Sequence, residues 1–309
     1  MLSAEENWAR LKGLFNITLT PFDGDGGMDE EGLAENIERV IGLGYDGVLI
    51  GGTYGEFGVM NTAERAALFR RAMETIRGRV PAMLCVASSD MREVDELMEL
   101  ACSLGGVPMV LPPLVSEVND GHILSYFERL AAIARGGMVI YNAPRIAVSL
   151  RPDLIERLAD IPGVIGIKQG DLAPTVVDDI ANRLGGRLRL FCASDLSYPG
   201  PILAGFDGVS STNSCAFPEL ILQSYRALEF GDAHLARELH GSWYPYRALA
   251  RRFGQPQTTK AAMNTRGFAG GTVRPPLRDL DEKQTSELVE VIHAINATLR
   301  PSPSRAYAQ

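Results

Sequence analysis

The sequence predicts an α/β fold, a (β/α)8 TIM barrel with additional C-terminal helices. Three observations carry this. Eight short apolar, β-branched runs alternate with amphipathic segments over the first two thirds of the chain. Those runs are apolar on both faces, as parallel strands covered by helices are, and eight is the number that closes as a barrel. The alternative, a doubly wound open sheet, lacks support because no strand is followed by a GxGxxG fingerprint, and the glycines at 24 to 27 read as a turn.

The strand candidates are 14–22, 47–52, 82–88, 107–112, 138–144, 164–169, 188–194 and 208–213. Helical patterns lie between them. In 29–43, Leu33, Ile37, Val40 and Ile41 share one face, and Gly44 is placed to stop the helix. Others run 62–77, 91–104, 120–135, 152–160, 173–184 and 196–205. Past Phe217 the strand signal disappears and helices are expected at 218–231, 232–251, 257–264 and 281–299. The division is a barrel core over 1–216 and a helical extension over 217–309 packed on it.

A chain of 309 residues, 46% hydrophobic and 22% charged, is an ordinary globular protein. A net charge of −8, with no cluster of Lys or Arg among aromatics, excludes a nucleic-acid partner. The N-terminus carries acids where a signal peptide has bases, and no apolar run approaches the ~18 residues of a membrane span. A cytoplasmic protein with no membrane partner is expected. Cys85, Cys102, Cys192 and Cys215 form no CxxC pair and read as core residues. His122, His234, His240 and His293 fall outside the strand-like runs, so neither a zinc site nor a Ser-His-Asp triad is easily built.

That leaves Lys168. Only four of the thirty basic residues are lysines, at 12, 168, 260 and 283, and Lys168 lies inside the strand-like run Gly163-Val164-Ile165-Gly166-Ile167-Lys168-Gln169-Gly170. Lysine, unlike arginine, loses its proton when desolvated and then acts as an amine nucleophile. From the reference value only about 1 amine in 2,500 is neutral at pH 7, whereas burial that lowers it to about 7 frees half. The competing reading is a strand-end lysine that snorkels to water or pairs with Asp171. In a barrel the active site lies at the carboxyl ends of the strands, which brings Lys168, Tyr141 at the end of the fifth strand and Thr53 just past the second to one mouth. This convergence favours catalysis.

The same residues carry a resemblance. Leu19-Thr20-Pro21-Phe22, the loop Gly51-Gly52-Thr53-Tyr54-Gly55-Glu56, Tyr141-Asn142-Ala143-Pro144, Gly166-Ile167-Lys168 and the stretch KAAMNTRGFAGGTVRPPL at 260–277 stand in the right order on the right strands. They resemble the dihydrodipicolinate synthase and N-acetylneuraminate lyase family of class I, Schiff-base pyruvate lyases, as a divergent member rather than the lysine-pathway synthase itself. The resemblance implies that Lys168 forms an imine with the ketone of pyruvate or of a pyruvoyl-bearing 2-oxo acid, with no cofactor beyond that covalent imine. Tyr141 would shuttle the proton and Thr53 relay it. Gly52, Thr53 and Tyr54 would form the turn whose N–H groups bind the substrate carboxylate, with Glu56 as its organiser. The family also implies a homo-oligomer, a tetramer built as a dimer of dimers.

Several positions depart from the family pattern. Tyr54 stands where many relatives have a second Thr, and it either supplies a hydroxyl or only reshapes the pocket. Pro112-Pro113-Leu114-Val115-Ser116-Glu117 replaces a stretch that commonly carries tyrosines, so Leu114 cannot carry a proton. Arg145 directly follows Pro144, and Ile146 takes the place of the synthase's arginine. Arg145 either reaches a distal carboxylate or is simply exposed. Ser210 occupies a usually apolar position, and Ser194 and Asp195 end the seventh strand where relatives handling sugar acids place polar contacts. Ser210, Asp195, Tyr54 and Arg145 are therefore substrate-binding candidates. They point to a 2-keto-3-deoxy sugar acid, cleaved by aldol chemistry or dehydrated. The alternatives are 4-hydroxy-tetrahydrodipicolinate synthase, an aromatic-pyruvate hydratase-aldolase, and a non-enzymatic ketoacid-binding regulatory barrel.

Overall fold

The protein is described by a computed structural model over residues 2–298. Its eight strands are β1 (Gly13–Ile17), β2 (Gly47–Ile50), β3 (Ala82–Cys85), β4 (Val107–Val110), β5 (Met138–Asn142), β6 (Val164–Gln169), β7 (Arg189–Cys192) and β8 (Gly208–Ser211). All pair in parallel, each with the next, and β8 returns to β1 to close the barrel. The helices are α1 (Ala4–Arg10), α2 (Glu30–Leu43), α3 (Thr62–Ile76), α4 (Met91–Ser103), α5 (Asp120–Ala131), α6 (Pro152–Ala159), α7 (Pro174–Leu184) and α8 (Pro199–Leu203). They continue with α9 (Pro218–Glu229), α10 (Ala233–Ser242), α11 (Tyr244–Phe253), α12 (Gln257–Thr265) and α13 (Glu282–Thr298).

Strand side chains alternate between two buried layers, as the pleat requires. Val48 and Ile50 belong to the outer layer between strands and helices, and Leu49 to the inner layer that fills the barrel. Phe15, Met83, Met109, Val139 and Phe191 share the inner layer, with Phe15 and Phe191 meeting edge to face at 4.8 Å.

The strands stop short of the apolar runs that predict them. Val86, Ala87 and Leu111 remain fully buried beyond the last residue of β3 and β4 because the chain is still inside the barrel mouth, so hydrophobicity outlasts the ladder. Helix α1 is absent from the predicted elements, although its signal is present. Ser3 and Glu6 form a reciprocal capping box. Trp8 and Ala4 pack against the inner layer, Asn7 Nδ2 donates to the Gly136 carbonyl at 2.9 Å, and Arg189 Nε donates to that of Trp8 at 2.8 Å.

After the predicted boundary at 216, α9 occupies the place of the eighth barrel helix: it follows β8, packs on α2, and its Pro218 carbonyl accepts from Tyr45 Oη at 2.8 Å. The added helices therefore begin with α10, and 299–309 of the expected extension lie outside the described residues. The single helix expected over 232–251 is two, divided at Trp243, because Pro245 starts a new helix at its first turn.

Between α10 and α11, His240 Nε2 lies against Arg247 Nη1 and, at 3.2 Å, the Leu196 carbonyl. Burial, with the Arg247 charge beside it, lowers the His240 pKa from 6.5 to about 4. The unfolded chain accepts this proton below pH 6.5 and the folded protein does not, so stability is expected to fall as pH drops from about 6.5 toward about 4. His240→Asn should flatten that part of the profile, which urea midpoints measured across the window will show.

Candidate active site

The pairing of β5 with β6 contains one irregularity. Met138 faces Val164, but Val139 faces Gly166, leaving Ile165 as an extra residue on β6. In an unbroken strand Ile165 and Ile167 would share a face. Here Ile165 joins the inner layer and Ile167 the outer one. The shift in parity brings Lys168 into register with Tyr141, an inner-layer residue. Gly166 suits this irregularity, since a Cβ there would crowd the Arg189 carbonyl oxygen at 3.0 Å.

Lys168 is 3% exposed, and its Nζ lies 4.1 Å from the centroid of the Tyr141 ring. It makes no ion pair among the described residues, so the pairing with Asp171 is not formed. Tyr141 Oη and Thr53 Oγ1 are hydrogen-bonded at 2.9 Å. Thr53 is presented by the turn after β2, where Gly52 is buried and a Cβ on it would lie 2.8 Å from Leu49 Cδ2, displacing that side chain. The Glu56 N–H closes the turn onto the Thr53 carbonyl at 3.1 Å. Amine, phenol and hydroxyl thus form one continuous group, as the barrel placement predicts.

Behind Tyr141 and Lys168 their neighbours form a second pair. Asn142 Nδ2 donates to Gln169 Oε1 at 2.9 Å and to the Leu150 carbonyl at 3.1 Å, and Asn142 Oδ1 accepts from the Leu150 N–H at 3.0 Å. Gln169 Nε2 donates to the Asp171 carbonyl at 2.9 Å. Sequence reasoning missed this clasp, whose signal is an amide side chain ending each of two adjacent strands.

The remaining candidates are less uniform. Ser210 is buried in register with inner-layer Phe15, and its Oγ donates to the Cys192 carbonyl at 3.3 Å. Asp195 is buried, and its carboxylate accepts from Ser211 Oγ at 2.6 Å and from the Asn213 N–H and Nδ2, both at 2.8 Å. Burial pushes its carboxyl above the ordinary range against the pull of these bonds. Both of its oxygens are engaged in tying β7 to the end of β8.

Tyr54 is half-buried and packs on the outer layer. Burial, reinforced by Tyr141, raises its phenol pKa and Arg145 opposes the rise, so Tyr54 stays a donor. Arg145 is exposed and makes no ion pair among the described residues. Leu114 packs against the inner layer with Ala147, and with Val115, Ile146 and Val148 it lines an open cleft of about 400 Å³. The two positions expected to differ from the family's tyrosine and arginine, Leu114 and Ile146, therefore line one cleft, whose exposed surface is mostly polar. Among the described residues no group of three or more His, Cys, Asp or Glu is arranged to hold a metal ion, and no helix is long and apolar enough to cross a membrane.

The model of the dihydrodipicolinate synthetase family matches residues 10–295. The chain belongs to that family. It is 30% identical over 286 residues to the 4-hydroxy-tetrahydrodipicolinate synthase of Methanopyrus kandleri, covering 91% of this chain and 94% of the relative. The synthase of the same name from Listeria innocua is also 30% identical, over 84% of this chain and 90% of its own. Among solved structures, YagE, a prophage protein of E. coli K12 crystallised in complex with pyruvate, superposes with a TM-score of 0.85 at 26% identity, covering 93% of this chain and 99% of YagE. CdNal of Clostridium difficile, solved in complex with mannosamine, shares the fold with a TM-score of 0.87 at 20% identity, over 92% and 98% of the two chains. Members of the dihydrodipicolinate synthetase family are lyases that use pyruvate through a covalent Schiff base on a lysine, without a metal or external cofactor, and this chain is an enzyme of that lyase class.

Asn142→Leu removes the clasp behind the amine and leaves the Leu150 N–H and Gln169 without their partner. The expected loss is about 2–3 kcal/mol of unfolding free energy, read from chemical denaturation.

Proposed function

We propose that the protein is a Schiff-base lyase in which Lys168 attacks the ketone of pyruvate, or of a 2-oxo acid that contains a pyruvoyl unit. The observation that carries the reading is the buried Lys168 amine 4.1 Å over the Tyr141 ring, with the Tyr141 hydroxyl joined to Thr53 at 2.9 Å. Attack by a neutral amine gives a carbinolamine, and loss of its hydroxyl as water requires a proton. Tyr141 supplies that proton and is resupplied through Thr53, because a hydroxyl both donates and accepts. The resulting iminium withdraws electrons from the adjacent carbon. It thereby permits loss of a proton to an enamine, or cleavage of the bond to a departing aldehyde, and the enamine adds to an aldehyde in reverse. The N–H groups of the turn Gly52, Thr53 and Tyr54 hold the carboxylate of the 2-oxo acid.

For the rest of the substrate we favour a hydroxylated chain, a 2-keto-3-deoxy sugar acid. Ser210 supports this from the inner layer, where its oxygen keeps lone pairs for a substrate hydroxyl, and Tyr54 supports it as a donor. Asp195 is not part of the reading, since its oxygens are engaged within the protein. A second reading, an aldehyde with an aromatic or aliphatic body, is favoured by Leu114, which packs against the inner layer where the family commonly carries a tyrosine. The names of the curated relatives support 4-hydroxy-tetrahydrodipicolinate synthesis, against which stand Leu114 in place of the family's tyrosine and Arg145, which is exposed and makes no ion pair among the described residues. A cytoplasmic homo-oligomer built from dimers belongs to the same proposal. One solved neighbour is described as a monomeric variant of the synthase, so sedimentation of this protein is the measurement that decides.

Pyruvate with borohydride is expected to leave an adduct about 72 Da heavier on the peptide containing Lys168. An adduct that persists in Lys168→Ala, or none in the wild type, refutes the mechanism. Tyr141→Phe should slow exchange of the pyruvate methyl hydrogens with solvent deuterium by about 10²-fold or more. Turnover of a panel of 2-keto-3-deoxy acids, of pyruvate with aspartate semialdehyde, and of pyruvate with an aromatic aldehyde separates the three substrate classes.

A further inference from the structure

The second buried lysine, Lys260, is completely shielded from solvent, and the chemistry above does not use it. Its Nζ lies 2.6 Å from Glu56 Oε1 and donates to the Thr272 carbonyl at 2.6 Å, with the Phe22 ring 4.5 Å away. Glu56 is the buried end of the Gly51–Glu56 turn. Its Oε2 accepts from the Arg274 N–H at 3.1 Å, while Oε1 has no well-directed hydrogen bond and is compensated by the Lys260 charge alone. Burial lowers the Lys260 pKa, and Glu56 opposes that shift.

Glu56 also has a left-handed backbone, φ 61°, which a residue with a Cβ adopts only when its surroundings hold it there. From it a short path leads to the reacting groups. The Glu56 N–H donates to the Thr53 carbonyl, and Thr53 Oγ1 meets Tyr141 Oη. Attachment of the C-terminal segment does not depend on Lys260. Arg274 pairs with Glu64 at 2.7 Å and donates to the carbonyls of Gly26 and Val59, the Thr272 N–H donates to the Phe22 carbonyl at 2.8 Å, and Asn36 Nδ2 to that of Ala269 at 2.7 Å. A buried ion pair adds little net stability over an apolar pair of the same shape, so what Lys260 supplies is geometry.

We propose that Lys260 is a positioning residue for the proton relay: through Glu56 it holds the turn in the conformation that sets Thr53 against Tyr141. The inference rests on the imine reading of Lys168. Lys260→Met keeps the length of the stem and removes the charge, leaving Glu56 Oε1 buried with no cation, so that the carboxylate neutralises by taking a proton or leaves its place. Either event displaces Thr53. Misplacement of this kind, away from the reacting atoms, costs up to about 10²-fold.

The experiment compares, on the full-length protein, the extent of borohydride trapping reached once pyruvate and enzyme have equilibrated, which a relay catalysing imine formation does not alter, with the rate at which the pyruvate methyl hydrogens exchange with deuterium. In Lys260→Met, exchange is expected to fall by about 10- to 100-fold with trapping changed by less than about threefold. A new titration should appear in the exchange profile, and Lys260→Met combined with Glu56→Gln should remove it and recover much of the rate. Should Lys260→Met not fold, Glu56→Gln alone carries the same comparison, with a smaller loss of exchange expected. An unchanged exchange rate, or exchange and trapping lost in parallel without a new titration, overturns the positioning role while leaving the imine intact. Absence of any adduct in the wild type overturns the imine reading, and the role of Lys260 with it.

Discussion

The pairing of β5 with β6 governs what the mouth of this barrel can do. Strand side chains alternate strictly, so a one-residue change in register exchanges every inward position for an outward one. The extra residue at Ile165 makes that exchange inside β6, after which Lys168 lies opposite Tyr141 and Ile167 packs outward. Gly166 permits it by leaving room for the Arg189 carbonyl, and the Asn142–Gln169 clasp holds the two strand ends in this register from behind. The amine is thus buried by the geometry of its strand rather than by a dedicated pocket.

Around that amine the mouth has two sides, one tightly tied and one open. On the β2 side the turn 51–56 is tied by polar and charged contacts, with the Thr20 hydroxyl donating to the Gly55 carbonyl at 2.8 Å and Glu56 held between Lys260 and the Arg274 N–H. On the β4 and β5 side Leu114, Ile146 and Val148 line an open cleft. Bond making requires a few groups held to within a fraction of an ångström, whereas selection among substrates requires only a surface of suitable shape and polarity. Departures from the family pattern fall on both sides, Tyr54 in the turn and Leu114 and Ile146 in the cleft.

Much of this was legible in the residues. Eight apolar runs, alternating with helices that Gly44 and similar residues stop, are enough for a closed parallel barrel, and Lys168 stands out in a chain that mostly uses arginine for its positive charge. The ends of the strands were not legible, because Val86, Ala87 and Leu111 are as buried in the mouth as in the ladder. The place of α9 was misread for a related reason: a helix after β8 looks the same in sequence whether it closes the barrel or lies beyond it. Asp195 was a substrate-contact candidate because relatives that handle sugar acids place polar contacts at that strand end, and in the fold its carboxylate is bonded within the protein. Its partners Ser211 and Asn213 come from the neighbouring strand, and no local pattern announces them.

Sequence alone therefore determined the architecture, the nucleophile candidate and the residues expected around it, since these follow from local hydrophobic period, from strand order and from the chemistry of single side chains. Tertiary structure alone decided which of those side chains meet. The bulge that turns Lys168 inward, the bond between Thr53 and Tyr141, and the pair of Lys260 with Glu56 join residues that are distant along the chain or depend on register across a strand pair. Such contacts are fixed by closure of the barrel, which brings eight separate strand ends to one point, and no window of sequence contains that closure.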